Sequence, residues 1–418
     1  MRIATKSIKF DWITVLLFAA LVLIGWVNIY SASFNDTNTA FVNFDQIYFK
    51  QLVWIVLSGV LIVFILALDA KFYERFAGLI FLISMASLLL LYPFGREISG
   101  ATSWFSFGGV NLQPSEFAKT ATALALAKYI SDIQTNMKEF KHQLRAFALI
   151  TIPAVLIIPQ PDPGSALVYS AFVFTMYREG MHFAYLLLGF FAATLFIGTL
   201  AFGVVWVAVI VVLIAIAIYL KNKKKRPSMF KYGTIALACI GFALSVNYIF
   251  NNVFEQRHRD RFNIVLGKEV DAKGIGYNTN QSEIAIGSGG WTGKGWNQGT
   301  QTKGHFVPEQ HTDYIFSTVG EEWGFLGALL VVALFVALII RLLILAERQR
   351  SQFSRVYGYS VAAILFVHFL VNIGMVTGIL PTIGIPLPFF SYGGSSLWGF
   401  TILLFIFVRL DGANYYYT

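Results

Sequence analysis

The chain consists of long apolar segments separated by short polar ones. A run of about 20 apolar residues is long enough to cross a bilayer as an α-helix. Such runs predict about twelve transmembrane helices, centred on residues 12–30, 49–69, 76–93, 115–131, 144–158, 164–177, 183–201, 203–220, 232–252, 321–345, 356–378 and 395–408. We therefore expect an all-α polytopic membrane protein that forms one integral membrane domain over residues 1–418.

The composition agrees with this pattern. Hydrophobic residues make up 57% of the chain and 40 residues are Phe, and the mean hydropathy is +0.66. These values are typical of a membrane protein and exclude an ordinary soluble domain. No nucleic-acid-binding module is recognisable, so the net charge of +9 is assigned mainly to loops that face anionic membrane lipids.

The basic residues predict the orientation in the membrane. Arg2, Lys6 and Lys9 precede the first span, which places the N-terminus in the cytoplasm. Further basic residues fall on the same side if the spans alternate: Lys71, Arg75, Lys138, Lys141, Arg145, Arg178, the run KNKKKR at 221–226, Arg348, Arg350 and Arg355. Twelve spans then put both termini in the cytoplasm.

The long loop 254–313 departs from that bias, because it is predicted to be extracytoplasmic and yet is basic. Its cations are Arg257, Arg259, Arg261, Lys268, Lys273, Lys294 and Lys303. Long loops cross the membrane largely regardless of charge, so the orientation stands. The excess of cations on the outer face indicates an anionic ligand.

Ionisable residues are concentrated between Phe306 and Gly327, directly before and within the start of an apolar span. The cluster comprises Glu309, His311, Asp313, Glu321 and Glu322. Such residues at a membrane edge are costly to desolvate and often mark a functional site. The alternative is that Thr312 or Asp313 only caps the helix that begins near Tyr314.

Two further segments carry unusual residues. Residues 379–394 contain Pro381, Pro386 and Pro388, so this backbone cannot be regular helix and is expected to line a cavity or re-enter the membrane. In the fourth span, Glu116 and Lys119 lie at i, i+3 on one helix face. The spacing fits a structural ion pair and a ligand role equally well.

Six collinear segments resemble the SEDS family of polytopic cell-wall proteins. They are GATSWFSFGGVNLQPSEFAK at 100–119, QPDPGSA at 160–166, RDRF at 259–262, GYNTNQSEIAIGSGGWTGKGW at 276–296, FVPEQHTDYIFSTVGEEWG at 306–324 and ILPTIGIPLPFFSYGGSSL at 379–397. The last two segments look more like the elongation branch of the family than the division branch. The resemblance covers nearly the whole chain.

The resemblance implies a function and several site residues. Members are peptidoglycan glycosyltransferases that polymerise lipid II and work with a class B penicillin-binding protein. The family's catalytic aspartate falls on Asp313, and its Trp and Glu–Lys positions fall on Trp104, Glu116 and Lys119. Members typically have ten spans, so residues 183–231 are expected to form an extra helical hairpin. The chain also has Pro163 and Ser165 where Leu and Thr are usual.

The implied reaction suggests roles for the remaining polar residues. Asp313 could take the proton from an attacking sugar hydroxyl, on the outer face of the membrane. Lys119, Arg259, Arg261 and Lys294 are candidates to stabilise the departing diphosphate. The other residues expected to contact substrate are Asp162, Glu309, His311, Glu321, Glu322, Ser391 and Tyr392.

The sequence does not predict a protein-held metal site, because the six histidines and one cysteine show no HxxxH or CxxC spacing. Oxygen ligands from Asp313, Glu309 and a diphosphate could still hold a divalent cation, Mg²⁺ or Mn²⁺. Two other functions stay open: a lipid II flippase and a non-catalytic scaffold. A flippase needs polar groups through the full depth of the bilayer, whereas here they lie towards the outer side.

Overall fold

The computed structural model describes residues 10–33, 44–98, 100–108, 110–222, 228–268 and 276–414. The chain divides into two compact units, Met1–Met181 with Asn278–Thr418, and His182–Tyr277. Several residues used to predict orientation lie outside the described ranges: Arg2, Lys6, Lys9, residues 223–226 of the basic run, and Lys273.

The regular secondary structure of the described residues is helical apart from one small sheet. In chain order the elements of the first unit before the second are α1 Trp12–Ser33, α2 Ile47–Ala67, α3 Ala70–Phe94, β1 Arg96–Ile98, β2 Ala101–Phe107, β3 Val110–Leu112, α4 Pro114–Ile130, α5 Phe140–Ile157, α6 Pro163–Val168, a 3₁₀ turn Tyr169–Ala171 and α7 Phe172–Arg178. The second unit contains α8 Ala184–Phe202, α9 Val204–Asn222, α10 Met229–Asn252 and α11 Gln256–Val265. The chain continues with α12 Tyr277–Ser288, α13 Thr300–Lys303, α14 Ile315–Glu347, α15 Gln352–Val376 and α16 Gly394–Asn414.

All twelve predicted spans fall on helices. Ten helices in the described part of the chain are long and apolar enough to cross a membrane: α1, α2, α3, α5, α8, α9, α10, α14, α15 and α16. The other two predicted spans are α4, which has 17 residues, and the broken segment formed by α6, the 3₁₀ turn and α7. The polytopic all-α fold is confirmed, and the count of twelve stays a prediction.

The centre of the first unit is formed by α4, α15 and α16. Helix α4 has four buried alanines, Ala118, Ala121, Ala123 and Ala127. In a membrane, an apolar helix surface packs equally well against lipid and against protein, so close packing of helices depends on small residues that let the backbones approach. The outer helices, including α2 and α5, expose most of their apolar surface. The site residues on α4 and α15 are therefore held at the rigid centre of the bundle.

Two polar contacts fix α1 against α14. At one end, the Arg341 guanidinium pairs with Asp11, which directly precedes α1. At the other end, the Ser31 hydroxyl donates to Glu322 Oε1 at 2.5 Å. Between them the helices pack along their length, so the start of α14 is fixed relative to α1.

A break at Gly324 divides α14 and admits a glycine-rich loop. Gly324 has φ 65° and ψ −162° within the helix. The freed carbonyls of Glu321 and Glu322 accept hydrogen bonds from the amides of Lys294 and Gly295, each at 3.0 Å. We refer to residues 289–299 as the glycine loop. A side chain on Gly293 would lie 2.1 Å from the Glu322 carbonyl, so only glycine fits there.

The second unit contains the predicted hairpin. Helices α8 and α9 occupy most of residues 183–231 and are separated by Gly203, whose φ is +82°. Helix α11 covers one end of the unit, where Phe262 packs on the buried cluster Leu200, Val246 and Phe250. Whether this hairpin is an addition to the family fold stays a prediction.

Candidate functional site

Asp313 lies in a tight turn that directly precedes α14. Glu309 has φ +54°, and its carbonyl accepts hydrogen bonds from the amides of Thr312 at 3.1 Å and Tyr314 at 3.3 Å. We refer to residues 309–314 as the Asp313 turn. The N-cap position of α14 is Tyr314, which makes no side-chain cap hydrogen bond, so neither Thr312 nor Asp313 occupies the cap position.

Three successive carbonyl groups of this turn are held by neighbouring elements. The His311 carbonyl accepts from the Tyr392 amide at 2.9 Å. The Thr312 carbonyl accepts from the Ser391 hydroxyl at 2.7 Å. The Asp313 carbonyl accepts from Asn372 Nδ2 of α15 at 2.9 Å. Because each residue has a separate anchor, the backbone on both sides of the Asp313 side chain is fixed.

The Asp313 carboxylate lies beside Gly384. A methyl group built on Gly384 would be 3.3 Å from Asp313 Oδ2, and Gly384 has φ +78°. Gly384 belongs to residues 377–393, which we call the proline loop. On another side of this loop, a methyl group on Gly164 of α6 would be 3.0 Å from the Ile383 carbonyl oxygen. The loop thus lies between the Asp313 turn and the start of α6.

Glu116 and Lys119 form a buried cluster with a third residue, His368 of α15. Lys119 Nζ is 2.8 Å from Glu116 Oε2 and 3.0 Å from His368 Nε2. An ammonium group only donates, so His368 Nε2 is the acceptor and Nδ1 carries the proton. That proton is directed to the Pro386 carbonyl oxygen at 3.3 Å. The cluster therefore supports the proline loop from within the bundle.

Asp162 caps the start of α6. Its carboxylate accepts from the Ser165 amide at 3.0 Å and the Ser165 hydroxyl at 2.7 Å. Gln113, directly before α4, donates to the same carboxylate at 3.0 Å. The hydroxyl retained at Ser165 is thus used in the cap, and the cap positions Gly164 against the proline loop.

Trp104 lies on the small sheet between α3 and α4. The sheet is antiparallel in the order β1-β2-β3, and Trp104 of β2 pairs with Arg96 of β1. The neighbouring Ser103 hydroxyl donates to the Gln160 carbonyl at 3.2 Å, which links the sheet to the segment that leads into α6. The side chain of Trp104 is half-buried.

Glu321, Glu322 and Lys294 lie where the glycine loop meets α14. Glu321 accepts from Lys294 Nζ at 2.8 Å and from the amides of Gln301 and Thr302. Glu322 accepts from Ser31 and from the Asn297 amide at 3.1 Å. Both carboxylates are fully buried, and Lys294 is 27% exposed. The contacts favour an anchoring role, and substrate binding by these three residues stays a prediction.

Arg259 and Arg261 lie on α11 in the second unit. They are two residues apart on one helix and so project about 200° apart around its axis. Arg259 donates to the Asn251 carbonyl at 3.0 Å and to Gln256 Oε1 at 2.6 Å. Both acceptors are neutral, so these contacts do not neutralise the Arg259 charge. The two side chains start from opposite sides of α11.

Burial shifts the pKa values of His311 in the Asp313 turn and of Tyr392 in the proline loop in opposite directions. Burial, with a smaller contribution from His305, lowers the pKa of His311, and the opposing effect of Glu309 is weaker. Burial raises the pKa of Tyr392. The two rings meet edge to face with centroids 5.7 Å apart. Exposed Glu309 accepts from the Thr312 hydroxyl at 2.9 Å, which closes the turn.

The sequence analysis missed His368 and Asn372. They lie one turn apart on α15 and contact the Lys119 cluster and the Asp313 turn, respectively. Asn372 Nδ2 also donates to the Ile385 carbonyl at 2.7 Å. Polar residues at i, i+4 inside an apolar span are uncommon and often functional, so the tract HFLVN at 368–372 carried a usable signal.

Within the described ranges, no group of three or more His, Cys, Asp or Glu side chains is placed to hold a metal ion. Glu309 already bonds to the Thr312 hydroxyl. A divalent cation held by Asp313, Glu309 and a bound diphosphate stays a prediction, and no metal ligand is assigned.

The chain is similar to known proteins in both sequence and fold. The family model for FtsW, RodA and SpoVE, described as cell cycle protein, matches residues 11–232 and 205–416. The peptidoglycan glycosyltransferase MrdB of Escherichia coli (strain K12) is 34% identical over 391 residues, covering 94% of this chain and 90% of MrdB. The peptidoglycan glycosyltransferase RodA of Treponema pallidum (strain Nichols) is 34% identical over 434 residues, covering 95% of this chain and 96% of that protein.

A solved structure is also similar. It comes from work on the structural coordination of polymerization and crosslinking by a peptidoglycan synthase complex. That chain has a TM-score of 0.72 and 27% identity to this one, over 98% of this chain and 99% of that chain. The fold, the collinear motifs and the relatives agree, and the chain belongs to the SEDS family of FtsW, RodA and SpoVE.

Proposed function

We propose that this chain is a peptidoglycan glycosyltransferase that polymerises lipid II into glycan strands during cell elongation. The two relatives at 34% identity carry the name peptidoglycan glycosyltransferase and are covered almost completely. The observation that carries the site assignment is the anchoring of His311, Thr312 and Asp313 through three successive carbonyls. A rigid backbone around one carboxylate is what a positioned proton acceptor requires.

The proposed reaction needs one base. The 4-hydroxyl oxygen of one sugar attacks the anomeric carbon of the next, the bond from that carbon to the diphosphate oxygen breaks, and the lipid diphosphate leaves. The hydroxyl proton passes to Asp313. Diphosphate is a good leaving group, so the second carboxylate used by glycosidases is unnecessary. Attack opposite the leaving group inverts the anomeric configuration.

The sequence prediction that Arg259 stabilises the leaving diphosphate is kept as part of this proposal. Its contacts are with neutral acceptors, and a guanidinium can bind phosphate oxygens bidentately. Lys119 and Lys294 are paired with Glu116 and Glu321, which neutralises much of their charge. We assign Lys119 to the support of the proline loop through His368 and Pro386.

We also propose the orientation and the partner. The bias of the basic loops supports cytoplasmic termini and a position of the Asp313 turn at the outer face. A class B penicillin-binding protein would crosslink the new strands. The similar solved chain comes from a complex in which polymerization and crosslinking are coordinated, which supports a partner of this kind.

Two assays on the purified full-length protein test the function. Fluorescently labelled lipid II is supplied with and without a class B penicillin-binding protein, and the products are separated by gel electrophoresis. We expect a ladder of glycan strands that depends on the protein and increases with the partner. In parallel, proteoliposomes measure movement of labelled lipid II between leaflets. Leaflet exchange without any polymer would favour the flippase and contradict the proposal.

A further inference from the structure

The second unit contains an apolar groove that the proposed reaction does not use. It has a volume of about 420 Å³ and lies between α8, α9 and α10. Along α9 it extends from Val207 to Ile218, which is about 16 Å at 1.5 Å per residue. Small residues, Gly198, Ala215 and Ala236, line its floor. The groove therefore has the narrow, elongated form of a slot for one hydrocarbon chain.

The two ends of the groove differ. Near its Phe202 end, the same helices are closed by the cluster Leu200, Val246 and Phe250, with Phe262 of α11 packed on it. Lys268 is also at that end, and its ammonium group donates to the Leu200 carbonyl. Because this apolar cluster closes the groove, the polar head of a bound chain fits better at the opposite end.

The opposite end is polar and positively charged. Tyr232 lines the groove there, and its hydroxyl accepts from Asn222 Nδ2 at 3.2 Å. Lys221 precedes Asn222, Lys231 precedes Tyr232, and both lysines are exposed. These two exposed lysines give this end of the groove a positive charge that suits a phosphate group at the level of the lipid headgroups.

We propose that this groove binds one anionic glycerophospholipid, with an acyl chain between α8, α9 and α10 and its phosphate at Lys221 and Lys231. The three helices are candidate membrane spans that bury little of their surface in the protein, so lipid hydrocarbon is available to fill the apolar slot between them. The predicted cytoplasmic position of the α9–α10 connection places the lipid in the inner leaflet. The proposed substrate, lipid II, carries its diphosphate at the outer face. Its hydrocarbon tail is therefore not the expected occupant of a groove whose polar end faces the cytoplasm.

Native mass spectrometry of the full-length protein tests the site. Delipidated protein is titrated with phosphatidylglycerol or phosphatidylcholine of identical acyl chains. Three variants are compared with the wild type. Ala215→Phe fills the groove, and its control Ala217→Phe adds the same group at an exposed position on α9 outside the lining. The third variant combines Lys221→Gln with Lys231→Gln and removes the two positive charges at the headgroup end. Lys141→Gln, at an exposed position outside the groove, controls for general loss of charge.

We expect wild type and Ala217→Phe to retain one phosphatidylglycerol, and Ala215→Phe to lose at least ten-fold in its affinity. The double lysine variant should lose the preference for phosphatidylglycerol over phosphatidylcholine, while Lys141→Gln keeps it. Equal retention by Ala215→Phe and Ala217→Phe would overturn the groove assignment. Undiminished preference in the double lysine variant would overturn the headgroup placement. Undecaprenyl phosphate displacing the bound phospholipid at equal concentration would overturn the choice of lipid.

Discussion

Asn372 Nδ2 lies 2.9 Å from the Asp313 carbonyl oxygen and 2.7 Å from that of Ile385. One buried amide on α15 therefore joins the turn that carries the proposed base to the proline loop that lies beside it. Both protons of the amide are used, one for each carbonyl. This contact makes Asn372 a positioning residue, because it holds the backbone of Asp313 and not its carboxylate.

Asn372→Leu keeps the volume of the side chain and removes both hydrogen bonds. Leaving buried carbonyls without donors costs about 1–3 kcal/mol, and a displaced base slows the reaction by about 10²-fold. We expect kcat for polymerisation to fall while KM for lipid II changes little. Asn28→Leu is the matched control, since Asn28 is also buried but donates only within α1. Equal kcat values for the two variants would remove Asn372 from this role.

Gly384→Ala tests the contact between the proline loop and Asp313. The left-handed backbone costs an alanine about 1–2 kcal/mol, and the new methyl group meets the Asp313 carboxylate. Gly203→Ala has a similar φ of +82° with no atom within 4 Å of the added carbon, so it controls for backbone strain. We expect both variants to melt at lower temperature, and only Gly384→Ala to lose polymerisation. Loss of activity in both would contradict the contact.

Glu116→Ala leaves Lys119 as a buried charge without its carboxylate. Removing one partner from a buried pair costs about 3–5 kcal/mol, and both residues are only 2% exposed. We expect a clear fall in melting temperature and weaker polymerisation as the proline loop loses support. Glu74→Ala breaks the surface pair with Lys128, in which Glu74 is 43% exposed, and should cost about 0–1 kcal/mol. Unchanged melting and activity in Glu116→Ala would refute the structural role of the pair.

His311 makes stability depend on pH. Its pKa is lowered in the folded protein, chiefly by burial, so the unfolded chain binds this proton at higher pH than the folded chain does. The contribution of neutral His311 is complete above the ordinary value of 6.5 and is lost as pH falls towards the folded pKa. Between pH 7.5 and 5, the melting temperature of His311→Gln should fall less steeply with decreasing pH than that of the wild type. A His311→Gln variant whose melting temperature depends on pH as that of the wild type does would contradict the assignment.

The apolar pattern predicted the helices well and the path of the chain near the site less well. Twelve apolar runs became helices because bilayer length and backbone hydrogen bonding leave few alternatives. The sequence predicted a span from residue 321, whereas α14 begins at Ile315 and breaks at Gly324. That break depends on the glycine loop, which pairs with α14 only in the folded bundle.

The cluster of ionisable residues shows a second limit of prediction from the sequence. From the sequence, Glu309, Asp313, Glu321 and Glu322 are equivalent carboxylates beside one span. The structure separates them, because Glu321 and Glu322 accept several hydrogen bonds from the glycine loop and its neighbours, whereas Asp313 lies in a turn beside the proline loop. His368 and Asn372 were missed because their partners, Lys119 and Asp313, are distant in sequence.

The rate of lipid II polymerisation by Asp313→Asn in the presence of the partner protein is the most direct measurement of the central proposal. Asn keeps the size and backbone contacts of Asp313 and removes the proton acceptor. A general base contributes about 10²- to 10⁴-fold, so we expect a loss of that order at unchanged melting temperature and unchanged partner binding. Glu309→Gln, which changes an exposed carboxylate of the same turn, should retain most of the activity. Glycan strands formed by Asp313→Asn at the wild-type rate would show that Asp313 is not the base.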